Sequence, residues 1–257
     1  MFIPEDMATQ IINQRSTPDN NSSPVNTDPL YLLDIGCNEG NLTLALADTF
    51  IRELSSTHPE IKTVHAVGAD IDSELIRRAT LKAQAVSFPA QFHSFSIMEP
   101  EQVTFLGSIP AATSRSRYDL VTVFSVTMWI HLNHGDKGLF RFLTSLSTLS
   151  NNLLIEPQNW RSYKKCVKRW KQLGELPPKE FKNLEVRNDV DVQIVNFLTE
   201  QFGYRQIEIG KTHWKRRMVK QRKHEQIHFV YTFLLFEECI SCIPYIHLYI
   251  LVYTSFQ

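Results

Sequence analysis

Cysteine is scarce in this chain, with four residues in 257: Cys37, Cys166, Cys239 and Cys242. Cysteines this few and this widely spread exclude a disulfide framework, and we expect the protein to lie in a reducing compartment. Cys239 and Cys242 form a C-x-x-C pair, but a zinc site needs two further ligands that the sequence does not supply beside them. We therefore expect no metal at this pair.

The first 28 residues lack any apolar periodicity. They are rich in Asn, Ser, Thr, Asp and Pro, as in STPDNNSSPVNTDP. A segment of this composition buries too little apolar surface to offset the entropy lost on folding, so we predict that residues 1–28 are disordered. They also lack an apolar h-region, and we expect no signal peptide.

Net charge is absent as well, since 27 basic residues balance 27 acidic ones. The balance hides an asymmetry: residues 1–159 hold 10 basic and 17 acidic residues, whereas residues 160–223 hold 17 basic and 7 acidic. A basic segment of this kind is typical of contact with an anionic macromolecule. A solvated helical face would give the same composition, so charge alone leaves both interpretations open.

One strongly apolar run stands near the end of the sequence, FVYTFLLFEECISCIPYIHLYILVYTSF. Its length would allow a membrane span, but Glu237, Glu238 and Pro244 interrupt it, and charges inside a bilayer are costly. We therefore interpret residues 224–257 as an atypical hydrophobic tail and favour a packed terminal hairpin, or an alternative C-terminal sequence, over a membrane helix.

Between residues 29 and 223, short apolar runs alternate with helical patterns. The apolar runs predict strands at LYLLDI, TVHAVGAD, QFHSFSI, YDLVTVFSV, NNLLIEP and YRQIEIG. Helices are predicted over residues 41–54, from a cap at Asp72 or Ser73, and over residues 137–149, 160–173 and 189–202. This alternation predicts an α/β domain, a doubly wound and mostly parallel sheet with helices on both faces. Such sheets bind ligands at the carboxyl ends of their strands.

The first predicted strand leads into a glycine turn, LLDIGCNEGNL, in which Gly36 and Gly40 lie four residues apart. A dinucleotide-binding turn needs G-x-G-x-x-G, and Asn38 stands where the second glycine would admit a pyrophosphate. Glu39 would also repel a pyrophosphate. The turn therefore disfavours a nicotinamide cofactor and suits a ligand without phosphates, with a purely structural turn as the alternative.

The D-x-G-x-x-x-G turn, followed by an acid at the end of the second strand in VGADID, resembles class I S-adenosylmethionine-dependent methyltransferases. The resemblance implies a Rossmann-like sheet of seven strands and S-adenosyl-L-methionine as cofactor. It implies that Asp70 accepts hydrogen bonds from the ribose hydroxyls and that Ile71 packs against the adenine. The cofactor-binding residues implied are Asp34, Gly36, Cys37, Asn38, Gly40, Asp70, Ile71, Asp72 and Ser125.

Two later segments, SVTMWIHLNHGDKGL and LLIEPQNW, are similar to the Bicoid-interacting-protein-3 family of RNA 5′-phosphate methyltransferases. The similarity runs from about Leu32 to about Trp214, and MWIHLNHGD looks closest to the branch acting on the 5′-monophosphate of histidine transfer RNA and some precursor microRNAs. It implies methyl transfer to the 5′-monophosphate of a small RNA. It also implies a monomer in the cytoplasm or nucleus, with neither DNA nor a membrane as partner.

A 5′-monophosphate already carries roughly −1.5 to −2 charge at pH 7, so the reaction needs alignment and hydrogen-bond donors more than a strong base. We predict the catalytic residues His131, Asn133 and Glu156. We predict the substrate-binding residues His134, Gln158, Trp160, Tyr163, Lys164, Lys165 and Arg216. The H-x-x-H spacing of the two histidines lacks a third ligand nearby, and we expect no metal there.

Structural alternatives stay open for several of these residues. Asn133 or Asp136 could cap a helix that begins at Lys137. Glu156 and Gln158 could anchor loops instead of lining the methyl-transfer channel. Either Trp160 or Trp129 could stack on the terminal base, and for Trp129 we favour a place in the core.

The sequence departs from the family pattern in three places. The family pattern has a segment with Tyr and Arg before the glycine turn that grips the 5′ end of the RNA, but before Tyr31 this sequence offers only Arg15. Ser96 occupies the position after the third predicted strand where the family has an acidic residue. RRMVKQRKH stands where a final apolar strand is expected, which predicts an unpaired sheet edge. Two other functions stay open: a catalytically weak RNA-binding member of the family, and a methyltransferase for proteins or small molecules, which would leave the basic segment unexplained.

Overall fold

The structure, a computed structural model, describes residues 6–15, 27–113, 115–207 and 249–253. The strands of its sheet are β1 (Leu30–Ile35), β2 (Val64–Asp70), β3 (Ala90–Ser94), β4 (Tyr118–Phe124), β5 (Ser150–Glu156), β6 (Tyr204–Ile207) and β7 (Tyr249–Tyr253). The helices are α1 (Met7–Arg15), α2 (Asn41–Thr57), α3 (Ser73–Ala83), α4 (Pro100–Ala111), α5 (Thr127–Leu149), α6 (Trp160–Gln172) and α7 (Val190–Phe202). A short 3₁₀ helix spans Lys179–Lys182.

The strands lie side by side in the order β3-β2-β1-β4-β5-β7-β6. The first five places form a continuous parallel array, whereas β7 runs antiparallel to both β5 and β6. The predicted α/β class with a mostly parallel sheet is therefore confirmed, and its uninterrupted parallel array has five strands. Ile35 lies opposite both Ala69 and Val123, so the carboxyl ends of β1, β2 and β4 meet at one edge.

The core lies on both faces of the sheet because alternate residues of each strand point in opposite directions. In β1, Tyr31, Leu33 and Ile35 belong to the cluster packed against α5, α6 and α7, whereas Leu30 and Leu32 belong to the cluster packed against α1 and α2. All six residues of β1 are buried. A central strand covered on both faces reads as a continuous apolar run, which is why its sequence predicts it so clearly.

The predicted disorder of residues 1–28 is wrong for Met7–Arg15, which form α1. Met7, Ala8, Ile11 and Ile12 recur at helical spacing and are buried. The Glu53 carboxylate of α2 accepts hydrogen bonds from the N–H groups of Ala8 and Thr9 at the start of α1. The polar residues that follow α1 masked this short amphipathic pattern.

The expected unpaired sheet edge is also corrected, because β7 lies between β5 and β6. Its sequence, YILVY, is rich in β-branched and aromatic residues that favour strands. Part of the segment assigned to a separate tail thus joins the sheet, while the rest of that tail, with Cys239 and Cys242, lies outside the described residues. Across the described ranges, no helix is long and apolar enough to cross a membrane.

The helix predicted from Lys137 instead begins ten residues earlier, at Thr127. Gly135 interrupts α5 with φ of 69° and ψ of −174°, so the chain kinks there and resumes the helix. Because glycine interrupts a helical pattern, the periodicity of the sequence predicts the helix only after the kink. The predictions for α2, α3, α6 and α7 are confirmed, and Asp72 caps α3 as expected.

A buried carboxylate, Asp119, joins α1 to the amino ends of the strands. Asp119 is 1% exposed and accepts hydrogen bonds from Arg15 Nε at 2.8 Å, Arg115 at 2.7 Å and the Tyr31 N–H at 2.8 Å. The Arg15 guanidinium also donates to the backbone oxygens of Asp28 and Pro29. Arg15 thus acts as a structural clamp at the edge opposite to the carboxyl ends.

We predict that Asp119→Ala lowers the free energy of unfolding by about 3–5 kcal/mol, because it leaves two guanidinium groups without their buried partner. Chemical denaturation followed by circular dichroism measures the change. The matched control is Asp48→Ala, which removes an exposed pair with Arg52 and should cost no more than about 1 kcal/mol. Equal losses in the two variants would contradict the clamp.

Candidate functional site

The turn after β1 is held in a left-handed conformation and tied to β2. Gly36, Asn38 and Gly40 have φ of 76°, 52° and 75°. The N–H groups of Gly36 and Cys37 both donate to the Ala69 oxygen, at 2.7 and 3.2 Å. A Cβ on Gly36 would lie 2.3 Å from a neighbouring side chain, and one on Gly40 would lie 2.6 Å away. Both glycines are therefore fixed by φ and by packing.

Asp34 lies behind this turn rather than on its surface. It is 2% exposed, and its two carboxylate oxygens accept hydrogen bonds from Thr43 at 2.6 Å and Thr122 at 2.7 Å. Burial, opposed by the two hydroxyls and assisted by the charge of Asp70, raises the pKa of Asp34 to about 6. Asp34 therefore joins β1 to α2 and β4 and supports the turn from beneath.

Asp70 at the end of β2 faces the same turn. Its carboxylate accepts the Asn38 N–H at 2.9 Å and the Asp72 N–H at 3.0 Å. Each oxygen keeps a further lone pair, so Asp70 can still accept hydrogen bonds from a ligand. Ile71 follows with 76% of its surface exposed. Asp72 instead accepts two N–H groups in the first turn of α3, which gives it a capping role.

Ser125 and Glu156 pair across the ends of β4 and β5. The Ser125 hydroxyl donates to Glu156 Oε2 at 3.0 Å, and Glu156 is 1% exposed. Ser125 has φ of 59°, a conformation that costs a non-glycine residue of order 1–3 kcal/mol. The buried carboxylate therefore holds a strained backbone at the sheet edge beside the glycine turn.

Gln158 anchors the start of α5, as its structural alternative predicted. Its Oε1 accepts hydrogen bonds from the Thr127 hydroxyl at 2.8 Å and the Met128 N–H at 3.0 Å. Gln158 is 1% exposed, and its Nε2 has no hydrogen-bond partner among the described residues. An unmet buried donor is costly, so this nitrogen is a candidate to donate to a ligand.

His131 is held in a buried polar network rather than presented to a phosphate. Its Nδ1 lies 3.0 Å from the Tyr163 hydroxyl and its Nε2 lies 2.8 Å from Asp136 Oδ1. Burial lowers the pKa of His131 despite the attraction of Asp136. A neutral ring donates from Nε2 to the carboxylate and accepts from the tyrosine. This corrects the predicted phosphate contacts of His131 and Tyr163, both fully buried.

Asp136 extends the network to the loop after the 3₁₀ helix. It accepts the N–H groups of Glu185 at 2.9 Å and Val186 at 3.0 Å in addition to His131. Burial opposes its charge, but these hydrogen bonds outweigh burial and hold the pKa of Asp136 below its ordinary value. His131 and Asp136 are therefore positioning residues that fix α5, α6 and the loop relative to one another.

Asn133 and His134 lie on the exposed surface of α5. The Asn133 amide donates to the Trp129 oxygen within the helix, at 2.8 Å. Six residues of helix after Thr127 place Asn133 about 9 Å along the axis from the sheet edge. The helix thus carries Asn133 and His134 away from Ser125 at the sheet edge, and their contacts with the phosphate stay predictions.

Trp160 is half-buried and covered by other side chains. The Phe181 ring lies 5.3 Å away and nearly parallel, at 14°, and the Tyr163 ring lies 5.1 Å away. The Arg187 guanidinium carbon lies 5.9 Å from the Trp160 ring. Trp129, by contrast, is 42% exposed, so the prediction that it lies in the core is wrong.

The basic helix α6 carries the predicted lysines. Lys164 is exposed and Lys165 is half-buried, and Asn159 caps the helix by accepting the Ser162 N–H. Arg216 lies outside the described residues.

The sheet edge thus brings together the glycine turn, Asp70, Ser125, Glu156 and Gln158 as predicted. Two features are not predicted from the sequence: the pairing of Asp136 with His131, and the exposure of Trp129. The sequence holds a signal for the second, because Met128 and Leu132, on either side of Trp129, take the core-facing positions of the helix.

Comparison with known sequences identifies relatives over most of the chain. The model of the Bicoid-interacting protein 3 (Bin3) family matches residues 118–225. A mouse protein named RNA 5′-monophosphate methyltransferase is 37% identical, over 76% of this chain and 70% of its own length. A Xenopus laevis protein named pre-miRNA 5′-monophosphate methyltransferase is 36% identical, over 77% of each chain. Both alignments cover about three quarters of this chain.

A solved structure supports the fold. The bifunctional kinase-methyltransferase WbdD superposes with a TM-score of 0.51 at 20% identity, over 97% of this chain and 38% of that protein. At this identity the likeness concerns the architecture alone. A doubly wound sheet of this kind thus occurs within a methyltransferase-containing protein.

We predict that Asp34 gives the protein a pH-dependent stability. Its folded pKa of about 6 lies above the ordinary value of 3.8, so the folded state binds the proton more tightly. The resulting stability is present below about pH 4 and is lost as the pH rises through 6. Relative to Asp34→Asn, the wild-type free energy of unfolding should fall by roughly 2–3 kcal/mol over this window. Parallel pH profiles from chemical denaturation would contradict the assignment.

We predict that the two neighbouring histidines respond differently to substitution. His131→Ala leaves the Tyr163 hydroxyl and the Asp136 carboxylate with fewer partners and should cost about 1–3 kcal/mol of stability. His134→Ala, on the exposed face, should change stability by less than about 0.5 kcal/mol. Thermal or chemical unfolding measures both, and a similar small effect of the two substitutions would refute the positioning network.

Proposed function

Because this chain belongs to the Bicoid-interacting protein 3 family, we propose that it transfers a methyl group from S-adenosyl-L-methionine to the 5′-monophosphate of a small RNA. The observation that carries the proposal is the sheet edge where the glycine turn, Asp70 and the Ser125–Glu156 pair meet. Relatives named for RNA and pre-miRNA 5′-monophosphate methylation match most of the chain and support the same reaction.

The residues at this edge fit the cofactor. Bound S-adenosyl-L-methionine supplies an electrophilic methyl group on a sulfonium sulfur. Asp70 keeps lone pairs for two ribose hydroxyls, and charge-assisted hydrogen bonds of this type are about twice as strong as neutral ones. Ile71 offers exposed apolar surface for an adenine. Gly36 and Gly40 place no side chain on the turn at the two points where its backbone packs closely against neighbouring side chains.

The acceptor phosphate needs positioning more than activation. A dianionic monophosphate is already nucleophilic, so the chain must align its oxygen with the methyl carbon and offset its charge. Gln158 supports this because its oxygen is fixed by the start of α5 and its nitrogen remains as a buried donor. We assign Glu156 to holding Ser125 in place, since a bare carboxylate touching the phosphate would repel it.

The basic helix α6 supplies charge for the rest of the RNA. Lys164 and Lys165 lie five and six residues after the helix cap, Asn159, and suit contacts to phosphates. A weak RNA-binding role without catalysis is not favoured, because the turn and Asp70 are intact and in place. We further propose a monomer acting in the cytoplasm on histidine transfer RNA or a precursor-microRNA-like hairpin.

The decisive assay incubates the full chain with methyl-labelled S-adenosyl-L-methionine and one short RNA carrying a 5′-monophosphate, a 5′-triphosphate or a 5′-hydroxyl. We expect label on the monophosphate form alone. Asp70→Ala should weaken cofactor binding at least about tenfold through loss of charge-assisted hydrogen bonds, whereas the exposed Asp48→Ala should not. Cofactor binding without label on any RNA would overturn the proposed reaction.

A further inference from the structure

Trp129 presents an aromatic surface beside the candidate site. It lies in the first turn of α5, four residues after Ser125, and its backbone N–H donates to the Val126 backbone oxygen at 2.9 Å. It is 42% exposed. A large aromatic side chain this exposed, fixed by the helix that starts at the sheet edge, is typical of a contact surface rather than of a core.

A second tryptophan completes this surface from another helix. Trp170, near the end of α6, is half-buried, and its ring centroid lies 6.0 Å from that of Trp129 with a 33° tilt between the planes. The pair joins α5, which follows β4, to α6, which follows β5. Both helices begin at the edge that carries Ser125 and Glu156. We call Trp129 and Trp170 the tryptophan pair.

The charge around the tryptophan pair identifies the chemistry of its partner. Helix α6 carries six cations and no acid: Arg161, Lys164, Lys165, Lys168, Arg169 and Lys171. Lys164, Lys168 and Lys171 recur at helical spacing on its exposed side. Rows of cations beside exposed aromatic rings are the combination that binds single-stranded nucleic acid, with cations on phosphates and rings on bases.

Trp160, the first residue of α6 at this edge, is less available. Phe181 lies nearly parallel to it, and Tyr163 and Arg187 pack around the same ring. A base could stack on Trp160 only after one of these side chains moved. Trp129 is therefore better placed than Trp160 for the base-stacking role that the sequence analysis assigns to Trp160.

We propose that the tryptophan pair is the docking surface for an unpaired base at the 5′ end of the RNA. The proposal rests on the proposed function, since the 5′-phosphate would then lie at the Ser125–Gln158 edge next to that base. Stacking on Trp129 makes the enzyme selective for RNA whose first nucleotide is not held in a duplex. The cations of α6 hold the following phosphates without regard to sequence.

The test compares Trp129→Leu with Trp129→Phe on two 5′-monophosphorylated single-stranded RNAs, one normal and one with an abasic first residue. Dissociation constants come from fluorescence anisotropy without cofactor. We expect Trp129→Leu to weaken binding of the normal RNA at least about fivefold, the lower end of the effect of losing one stacked base. Binding of the abasic RNA should not change, and Trp129→Phe should retain most of the affinity.

Phe105→Leu is the matched control, because Phe105 is an aromatic residue with the same 42% exposure on α4. Denaturation of each variant establishes that the fold is kept. An equal effect of Trp129→Leu on both RNAs, or no effect on either, would overturn the docking surface, as would Trp129-dependent binding to phosphatidylserine vesicles in place of RNA. Failure of the wild type to methylate RNA would refute the proposed function instead, since these binding measurements need no turnover.

Discussion

Parallel pairing of β1 with both β2 and β4 is the constraint on which the candidate site depends. It places Ile35 opposite Ala69 and Val123, so the glycine turn, Asp70 and Ser125 emerge at the same level. A shift of one residue would turn every side chain of β1 to the other face of the sheet. Burial on both faces fixes the register, and the N–H groups of Gly36 and Cys37 lock the turn onto the end of β2.

Buried polar groups then set the geometry around this edge. Asp34 joins three elements beneath the turn, Gln158 fixes the start of α5, and His131 links α5 to α6. Each has partners of the right chemistry, as buried polar groups require. Because these carboxylate, amide and ring atoms already have partners within the protein, the groups that remain for a ligand are those at the surface and the unmet donors. Ile71, Trp129 and the Gln158 nitrogen are such groups.

The two edges of the sheet carry different kinds of charge interaction. At the amino edge, the buried Asp119 pairs with two partly buried arginines, Arg15 and Arg115, and the Arg15 pair holds α1 in place. At the carboxyl edge, the cations of α6 remain largely at the surface, where a polyanion can reach them. Asp119 thus stabilises the fold, whereas the basic helix α6 is the surface that we propose for RNA contact. This division explains why the zero net charge says little about partners.

The sequence by itself determined the alternation of strands and helices, the glycine turn, the cap at Asp72 and the basic helix. These features depend on local periodicity and on backbone conformations that only certain residues adopt. The identity of the residues at the carboxyl ends of β1, β2, β4 and β5 followed from the same local patterns.

Only the tertiary structure decided what several of those residues do. His131 and Tyr163 have the chemistry of phosphate ligands, yet they bury their polar atoms against each other and Asp136. Trp129 has a large apolar side chain of the kind found in cores, but 42% of its surface is exposed. Arg15 clamps the amino edge, and β7 completes the sheet from a distant segment. Burial and hydrogen-bond partners depend on residues far apart in the chain, so local pattern cannot specify them.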